Sequence, residues 1–405
     1  GLTLRNRTLF GDYDKFYQNI YPNSAVSTAG NVTLSAYNDT TERRNLFSQT
    51  DLIWESQLGG IDQTLLLGFE LGGSKGRNQR RNGIFAETGT GSIVRPLSNV
   101  TVDVPVTFLA NGNNSRIKTS VAALYAQDQI RPADWLEIVA GLRFDRFKIE
   151  VDNLANGAEF DRTDELWSPR LGLIVKPMQN LSLYGSYSRS YLPQSGDQFN
   201  SLSPTAEALK PERFDNYEIG GKWEPVPGLL ATAAVYQLDR SNTQAPGPTA
   251  GTVVLTGEQR SKGIELGLER SLTDRWLISD GYAWQKAEIR ERTSACNPAV
   301  ADCEVALVPR HSFSLWNRYD VSERLGLGLG LIARSKSYAS ISNNVKLPGY
   351  ARVDVAAFYN LGRGIEAQLN VENLFNADYF PTAHNDNNIA PGAPTTARAT
   401  LRLGF

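Results

Sequence analysis

Histidine, cysteine and methionine are scarce in this chain. Its 405 residues include two His, two Cys and one Met. A zinc site or an imidazole-based catalytic triad has few residues to draw on, so we expect no catalytic residue, no resident metal and no cofactor. The 41 Lys and Arg residues nearly balance the 43 Asp and Glu residues, giving a formal charge of −2. This balance argues against a nucleic-acid-binding protein.

Long apolar runs are also missing. The longest nearly apolar stretches, such as 228–236 and 325–333, have about nine residues, whereas a transmembrane helix needs about 20. No apolar stripe of helical period continues over about 12 residues. The sequence therefore predicts neither a spanning helix nor a helical domain.

Alternation with a period of two recurs instead. From Ala397 to Phe405 the odd positions are apolar, whereas the even positions include Arg398 and Arg402. Segment 365–372 alternates in the same way. Successive side chains of a strand point to opposite sides, so this pattern predicts an all-β chain. The apolar sides could meet in the core of a soluble sandwich, or they could face lipid around a membrane barrel.

The lengths of the connections favour the barrel. Short turns are predicted near 59–60, 131–133, 176–178, 224–227, 272–274, 321–322 and 362–363. Long polar loops are predicted at 21–29, 76–115, 152–160, 192–212, 241–251, 291–307, 339–347 and 376–394. Short turns at one end and long loops at the other are typical of outer-membrane barrels. We predict a transmembrane antiparallel β-barrel with about 16 strands in this chain and with its long loops outside the cell.

Aromatic residues near the short turns support this prediction. Trp54, Trp135, Trp223, Trp276 and Tyr319 all lie close to a predicted short turn. Aromatic rings at one depth form an interfacial girdle, because one edge prefers hydrocarbon and the other prefers water.

The glycines of the segment 326–330 alternate with leucines and resemble a nucleotide-binding loop only superficially. No helix follows them, as such a loop would require. We interpret the segment as a strand whose inner side is left bare, which would leave room in the lumen.

A set of short motifs occurs in a fixed order along most of the chain. They are WSPRLGL at 167–173, LYGSYS at 183–188, LKPE at 209–212, NYEIG at 216–220, SKGIE at 261–265, NVENLFN at 370–376 and NIAPGAP at 388–394. With these motifs and a last strand that ends at Phe405, the chain resembles the TonB-dependent ferric-siderophore receptors, nearest to the ferrichrome and catecholate types.

The resemblance implies an outer-membrane receptor that takes up a ferric siderophore by active transport, energised through the TonB–ExbB–ExbD system. It also implies a 22-stranded barrel with a plug domain inside. We therefore expect residues 1–405 to form the C-terminal part of such a barrel, with the plug and the first strands absent from this sequence. The alternative is a naturally short barrel that closes at 16 strands. The chelator holds the iron, so no protein ligand to iron is required.

The resemblance also suggests which residues contact the ligand. A ferric siderophore is often anionic and aromatic, so its pocket would suit cationic side chains and stacking rings. A catecholate is favoured over a hydroxamate. The candidates at the loop edges are Arg80, Arg81, Tyr191, Phe199, Trp284, Arg310, Arg334, Lys336, Tyr338, Tyr379, Phe380 and His384.

Two cysteines, Cys296 and Cys303, lie in one predicted outer loop. An oxidising compartment favours a local disulfide between them over two free thiols. Its role would be structural.

Several functions remain open at this point. A strand count of about 16 also suits a general-diffusion porin, a passive channel. A soluble β-sandwich or an outer-membrane lipase would need an enzyme site, but the chain has no Gly-x-Ser-x-Gly motif. We expect a monomer that contacts outer-membrane lipid and lipopolysaccharide and is not an enzyme.

Overall fold

The computed structural model describes residues 1–193, 210–246, 253–291 and 295–404. In these ranges the chain contains strands and no helix, as predicted for the all-β class. The described residues therefore contain no helix that could cross a membrane. The chain divides into two compact units. Unit 1 is Gly1–Ala133, Glu137–Leu171 and Ser188–Phe214, and unit 2 is Asp134–Leu136, Gly172–Tyr187 and Asp215–Phe405.

Sixteen strands of eight or more residues and six shorter ones make up the described ranges. In chain order they are β1 (Leu2–Pro22), β2 (Asn31–Leu58), β3 (Ile61–Phe85), β4 (Ser92–Pro96), β5 (Val106–Ala133), β6 (Leu136–Asn153), β7 (Glu159–Met178), β8 (Leu181–Leu192), β9 (Glu212–Trp223), β10 (Leu229–Pro246), β11 (Val253–Thr273), β12 (Trp276–Ile289), β13 (Cys303–Glu304), β14 (His311–Asp320), β15 (Leu325–Arg334), β16 (Ser337–Tyr338), β17 (Lys346–Leu347), β18 (Tyr350–Gly362), β19 (Ile365–Glu372), β20 (Thr382–Ala383), β21 (Ile389–Ala390) and β22 (Thr396–Leu403). The number of long strands agrees with the prediction.

The connections alternate in length as the sequence predicts. Two-residue turns occupy 59–60, 134–135, 179–180, 274–275 and 363–364. At the first of them, Gly59 and Gly60 have φ angles of 60° and 83°. A tight hairpin turn of this kind needs two residues in the left-handed region, which glycine enters without steric cost.

The loop predicted at 76–115 is shorter in the structure, because β3 continues to Phe85 and β5 begins at Val106. The predicted bounds were therefore wrong. Both faces of a strand contact water once it extends beyond the membrane, so polarity no longer marks where the strand ends. The remaining segment contains the short strand β4, which pairs with the start of β2.

In unit 1 the pairing of β1, β2, β3 and β5 sorts the side chains onto two faces. Leu52 lies opposite both Leu4 and Leu67, and the latter two side chains are exposed. The alternate positions are polar. Asp51, which is buried, accepts a hydrogen bond from the hydroxyl of Tyr125. We call the two sides the apolar face and the polar face of unit 1.

Unit 2 has the same division. Leu369 lies opposite Ala357 and Ala399, and Leu401 is on the same face two residues along β22. Leu369 is 47% exposed and Leu401 is 60% exposed. The apolar sides of these strands are therefore exposed and not packed in a dry core. The barrel interpretation requires this exposure.

The glycines of β15 lie on the polar face of unit 2, where Trp316 occupies the space beside them. A Cβ atom on Gly328 would lie 2.6 Å from Cη2 of Trp316, and one on Gly330 would lie 3.3 Å from the same ring. The expectation that this bare side leaves open room was wrong. The missing side chains accommodate one large ring instead.

The aromatic residues near the short turns are exposed, namely Trp54, Trp135, Trp223, Trp276 and Tyr319. The rings of Trp276 and Tyr319 meet edge to face, with centroids 6.1 Å apart. This arrangement fits the girdle predicted from the sequence.

The buried apolar clusters of the described ranges lie toward the long loops. In unit 1 a cluster joins β2, β3 and β4 through Val32, Leu34, Ala36, Phe85 and Ile93. In unit 2 two clusters join the outer loops. Their buried members are Ile289, Cys296, Cys303 and Ile341 in one, and Ala339, Leu347 and Ala383 in the other. The loops are therefore folded elements with small cores of their own.

Candidate functional site

A group of aromatic and charged residues lies at the long-loop end of unit 1. Strand pairing places Tyr17 opposite Asp39 and Asp39 opposite Arg80. Directly opposite residues of antiparallel strands share a face. Tyr21 and Tyr37 have the same parity on β1 and β2, so all five side chains belong to the polar face. We call these five residues the Arg80 cluster.

Arg80 stacks on a tyrosine ring. Its guanidinium carbon lies 3.9 Å from the ring centroid of Tyr37. The rings of Tyr17 and Tyr21 meet the Tyr37 ring edge to face, with centroids 5.6 Å and 5.5 Å away. A cation over a ring face is held by the negative face of the π system. The three tyrosines therefore form an aromatic support for one cation.

Asp39 contributes a buried carboxylate to the cluster. It is 7% exposed, and Nδ2 of Asn78 donates a hydrogen bond to it at 2.8 Å. Nε of Arg80 lies 3.6 Å from a carboxylate oxygen of Asp39. Among the residues that the structure describes, the Arg80 guanidinium makes no hydrogen bond. It is positioned by a ring and a charge and retains N–H donors for a further anion.

Tyr17 and Tyr21 remain protonated at neutral pH. Burial raises the pKa of Tyr17 to about 12, and hydrogen bonding with Tyr37 and the charge of Asp39 act in the same direction. Burial also raises the pKa of Tyr21. Their hydroxyl groups therefore stay neutral and can donate hydrogen bonds.

The cluster combines a planar cation with three half-buried phenol rings. The side chain of Arg80 is 35% exposed, so a ligand can reach it. A guanidinium forms two parallel hydrogen bonds to a suitable anion and also stacks on flat groups. This arrangement therefore suits an anion that carries aromatic rings.

The other candidates in unit 1 do not join this cluster. Arg81 is next to Arg80 on β3, so it belongs to the apolar face, where it lies opposite Asn38. Its guanidinium donates to the side chain of Gln79 at 3.1 Å. Tyr191 is half-buried near the end of β8. Phe199 lies outside the described residues.

In unit 2 the candidate Tyr379 is buried, with 7% of its surface exposed. Arg352 donates a hydrogen bond to its hydroxyl at 3.2 Å, and its ring lies 4.7 Å from that of Tyr350. The backbone N–H of Gly392 donates to the carbonyl of Tyr379 at 2.7 Å. The Tyr379 ring also covers Gly392 so closely that a Cβ there would collide with it. These contacts anchor the last long loop.

The outer loops of unit 2 are fixed by a disulfide within one loop and by hydrogen bonds between loops. A disulfide joins Cys296 and Cys303, as predicted for this loop. The side chain of Asn343 donates a hydrogen bond to the carbonyl of Glu304 at 3.0 Å. It also accepts one from the backbone N–H of Glu304 at 2.7 Å. The hydroxyl of Ser342 donates to Asp386 at 2.5 Å. The disulfide thus closes one loop, and polar contacts hold this loop and the next two together.

The remaining candidates of unit 2 are spread over several positions. Trp284 lies opposite Ile264 and His311 on the apolar face. Arg310 forms an ion pair of 2.9 Å with Glu304. The ring of Tyr338 is half-buried, and the ammonium group of Lys346 lies 5.6 Å from its centroid. Four further candidates are exposed, namely Arg334, Lys336, Phe380 and His384.

The sequence pattern did not identify Asp39 of the Arg80 cluster. It also did not identify the three tyrosines Tyr17, Tyr21 and Tyr37. Their alternation along β1 and β2 placed them on one face, but only the register of β2 with β3 brings them to Arg80. A search for tyrosines beyond the apolar part of each long strand would have found them.

The chain matches the family model described as "TonB dependent receptor-like, beta-barrel" over residues 1–374. It is 33% identical to the probable TonB-dependent receptor BfrD of Bordetella pertussis, over 75% of this chain and 43% of that protein. It is 26% identical to the catecholate siderophore receptor Fiu of Escherichia coli K12, over 79% of this chain and 47% of that protein. The chain thus spans less than half the length of these curated relatives.

The fold is also that of a solved receptor. The crystal structure of the siderophore receptor PiuA from Acinetobacter baumannii superposes with a TM-score of 0.86 at 23% identity, covering 99% of this chain and 62% of that one. These proteins are named as receptors and not as enzymes, and a general-diffusion porin is not favoured.

Proposed function

The chain belongs to the TonB-dependent receptor-like β-barrel family, whose members are outer-membrane proteins, and from this we propose that it serves the uptake of a ferric siderophore. The uptake would be active and driven through TonB. Relatives named as siderophore receptors support this proposal.

We propose further that the ligand is a ferric catecholate bound at the Arg80 cluster. The observation that carries this is the guanidinium of Arg80 stacked on Tyr37 and left without a hydrogen bond in the described part of the chain. A ferric catecholate complex is an anion with aromatic rings, so it can accept hydrogen bonds from Arg80 and contact the tyrosine edges. The name of the relative Fiu points to the same class of chelate.

The first experiment deletes the gene that encodes this chain and feeds the strain purified iron chelates under iron limitation. We expect the loss of growth on a ferric catecholate and normal growth on a ferric hydroxamate. Growth equal to that of the parent on every chelate would refute uptake. A defect confined to the hydroxamate would assign the other chelate class.

The second experiment compares Arg80→Gln with Arg81→Gln in the full-length receptor. The two arginines are adjacent on β3 and lie on opposite faces, so the charge change is matched. We expect Arg80→Gln to weaken ferric catecholate binding about tenfold, because it removes a stacked cation from an anion site. Binding of radiolabelled iron chelate to cells measures this. Arg81→Gln should bind like the wild type. Equal effects of the two substitutions would exclude the Arg80 cluster as the site.

A further inference from the structure

The dipeptide Asn-Gly occurs three times in unit 1, at 82–83, 111–112 and 156–157. Asparagine is a thermolabile residue, and a following glycine has no side chain to shield its backbone nitrogen from the asparagine amide carbon. Asn111 and Asn156 also share the upstream sequence Leu-Ala. A difference in reactivity between these two residues must therefore come mainly from the fold.

The second of these sites lies in a bulge of β5 that faces Arg80. The register of β5 with β3 shifts between Gln79 and Arg81, so Arg80 lies opposite the three residues 111–113. A bulge leaves its extra residues without ladder partners on the neighbouring strand. Gly112 is exposed and has a φ angle of 86°. This peptide bond can therefore change conformation without breaking a cross-strand pair with β3.

Hydrogen bonds orient the side chain of Asn111 toward the following amide. The backbone N–H of Asn113 donates to Oδ1 of Asn111 at 3.0 Å, which folds the side chain over the amide of Gly112. The same hydrogen bond stabilises the negative charge that develops on Oδ1 when the amide carbon is attacked. Nδ2 of Asn111 donates to Oδ1 of Asn82 at 3.0 Å. Asn82 is two residues from Arg80 on the same face.

The other two Asn-Gly sites are held more firmly. At Asn156 the backbone N–H of Gly157 donates to the carbonyl of Asn153 at 2.8 Å, and attack by this nitrogen would break that hydrogen bond. Gly83 is buried and lies in a paired strand, opposite Phe108. Rotation of its backbone would disrupt the strand ladder. Both sites should therefore react more slowly than the site in the bulge.

We propose that Asn111 deamidates spontaneously and that its product weakens anion binding at the Arg80 cluster, an inference that rests on the function proposed for that cluster. The nitrogen of Gly112 forms a bond to Cγ of Asn111, and the bond from Cγ to Nδ2 breaks. The amide leaves as ammonia with the proton from Gly112. Water then opens the cyclic imide to aspartate or isoaspartate and one proton is released. Water is the only co-reactant.

The new carboxylate would lie beside a cation that can accept it. Nε of Arg80 is buried and makes no hydrogen bond with any residue in the described ranges. A carboxylate in the facing bulge can accept a hydrogen bond from the guanidinium and neutralise its charge. Asp39 already lies 3.6 Å from the same nitrogen, so a second carboxylate makes the cluster net negative. Anionic ligands are then repelled, and the loss of binding increases with the age of the receptor.

The first measurement follows deamidation of the folded full-length receptor in detergent at neutral pH and growth temperature. Peptide mapping by mass spectrometry gives the fraction of aspartate and isoaspartate at each site over time. We expect Asn111 to convert several-fold faster than Asn156, with Asn82 slowest. The first two should react at similar rates in the denatured receptor. Conversion of Asn111 no faster than at the other two sites would overturn the proposal. The same excess at Asn111 after denaturation would also overturn it, because the bulge would then not set the rate.

The second measurement compares Asn111→Asp with Asn99→Asp in the full-length receptor. Asn99 forms a similar turn, accepting from the N–H of Thr101 at 3.2 Å, so the control adds the same charge in the segment after β4. The probe is the ferric complex of dihydroxybenzoate, a simple catecholate. Heat-modifiable electrophoretic mobility verifies that each variant is folded. We expect Asn111→Asp to bind roughly tenfold more weakly, as Arg80→Gln does, and Asn99→Asp to bind like the wild type.

The outcomes separate this inference from the proposed function. Unchanged binding by Asn111→Asp together with weakened binding by Arg80→Gln would overturn the effect of deamidation and leave the proposed function intact. Unchanged binding by both variants would overturn the binding role of the Arg80 cluster and the effect of deamidation with it. Equal weakening by Asn111→Asp and Asn99→Asp would also overturn the inference, because any added negative charge would then act alike.

Discussion

The long-loop ends of the two units use the same pair of residue types for different purposes. In unit 1, Arg80 lies over Tyr37 with its side chain 35% exposed. In unit 2, Arg352 donates hydrogen bonds to Tyr379 at 3.2 Å and to Asp354 at 2.8 Å, and Tyr379 is 7% exposed. The Arg352 pair is bound within the protein, whereas Arg80 remains accessible. Depth and hydrogen bonding, not residue type, distinguish the anchored arginine from the accessible one.

The two units also differ in what holds their long-loop ends in place. In unit 2 a disulfide closes one outer loop, and the side chains of Asn343 and Ser342 connect the outer loops. In unit 1 the Arg80 cluster lies on continuous strands, whose backbone pairing positions the side chains without any loop. Side chains on paired strands are held more rigidly than side chains on loops.

The largest effect should come from removing the anchor in unit 2. Tyr379→Ala leaves a cavity beside Tyr350 and Gly392, and we expect it to lower the local free energy of opening of loop 376–394 by about 3 kcal/mol. Hydrogen exchange of the Gly392 amide measures this. Phe380→Ala is the matched control, because the neighbouring ring is 37% exposed and should have little effect. If Tyr379→Ala keeps full protection but loses ligand, Tyr379 is a binding residue and the distinction fails.

The disulfide should rank second. Removing a cross-link that closes a loop with a sequence separation of seven costs about 2.5 kcal/mol on chain-entropy grounds. Cys296→Ser/Cys303→Ser should therefore speed hydrogen exchange in 295–305 and also in 339–347, which packs on it. Ala301→Ser makes a polar change in the same loop and should leave exchange unchanged. Faster exchange confined to 295–305 would show that the two loops are not coupled.

The smallest effect concerns pH at the Arg80 cluster. The pKa of Tyr17 is raised to about 12, so its neutral form is favoured in the folded state. Its contribution to stability is therefore complete below about pH 10, the ordinary tyrosine pKa, and is lost as the pH rises through the folded pKa. Tyrosine-ring NMR with Tyr17→Phe as reference should show this residue titrating near 12. A titration near the ordinary value would mean that the cluster is open to water.

Much of the fold was predictable, but the site was predicted only in part. Residue alternation identified the strands, and polar loops and turn residues identified the two ends. Among the site candidates, Arg80 was identified by its charge near a loop edge. Trp284 was chosen for the same reason, yet it lies opposite Ile264 on the apolar face. A position near a loop edge does not specify the face, because neighbouring residues on a strand face opposite ways.

Local chemistry along the chain was enough to establish the all-β class, the two faces of each strand and the family resemblance, because strand periodicity and turn preferences depend on residues close in sequence. The register between distant segments was decided only on folding. That register stacks Arg80 on Tyr37 and aligns Arg44, Lys75 and Lys118 in one row. The reason is that cross-strand neighbours are set by hydrogen-bond pairing between whole strands, and a shift of one residue would move each of these side chains to the other face.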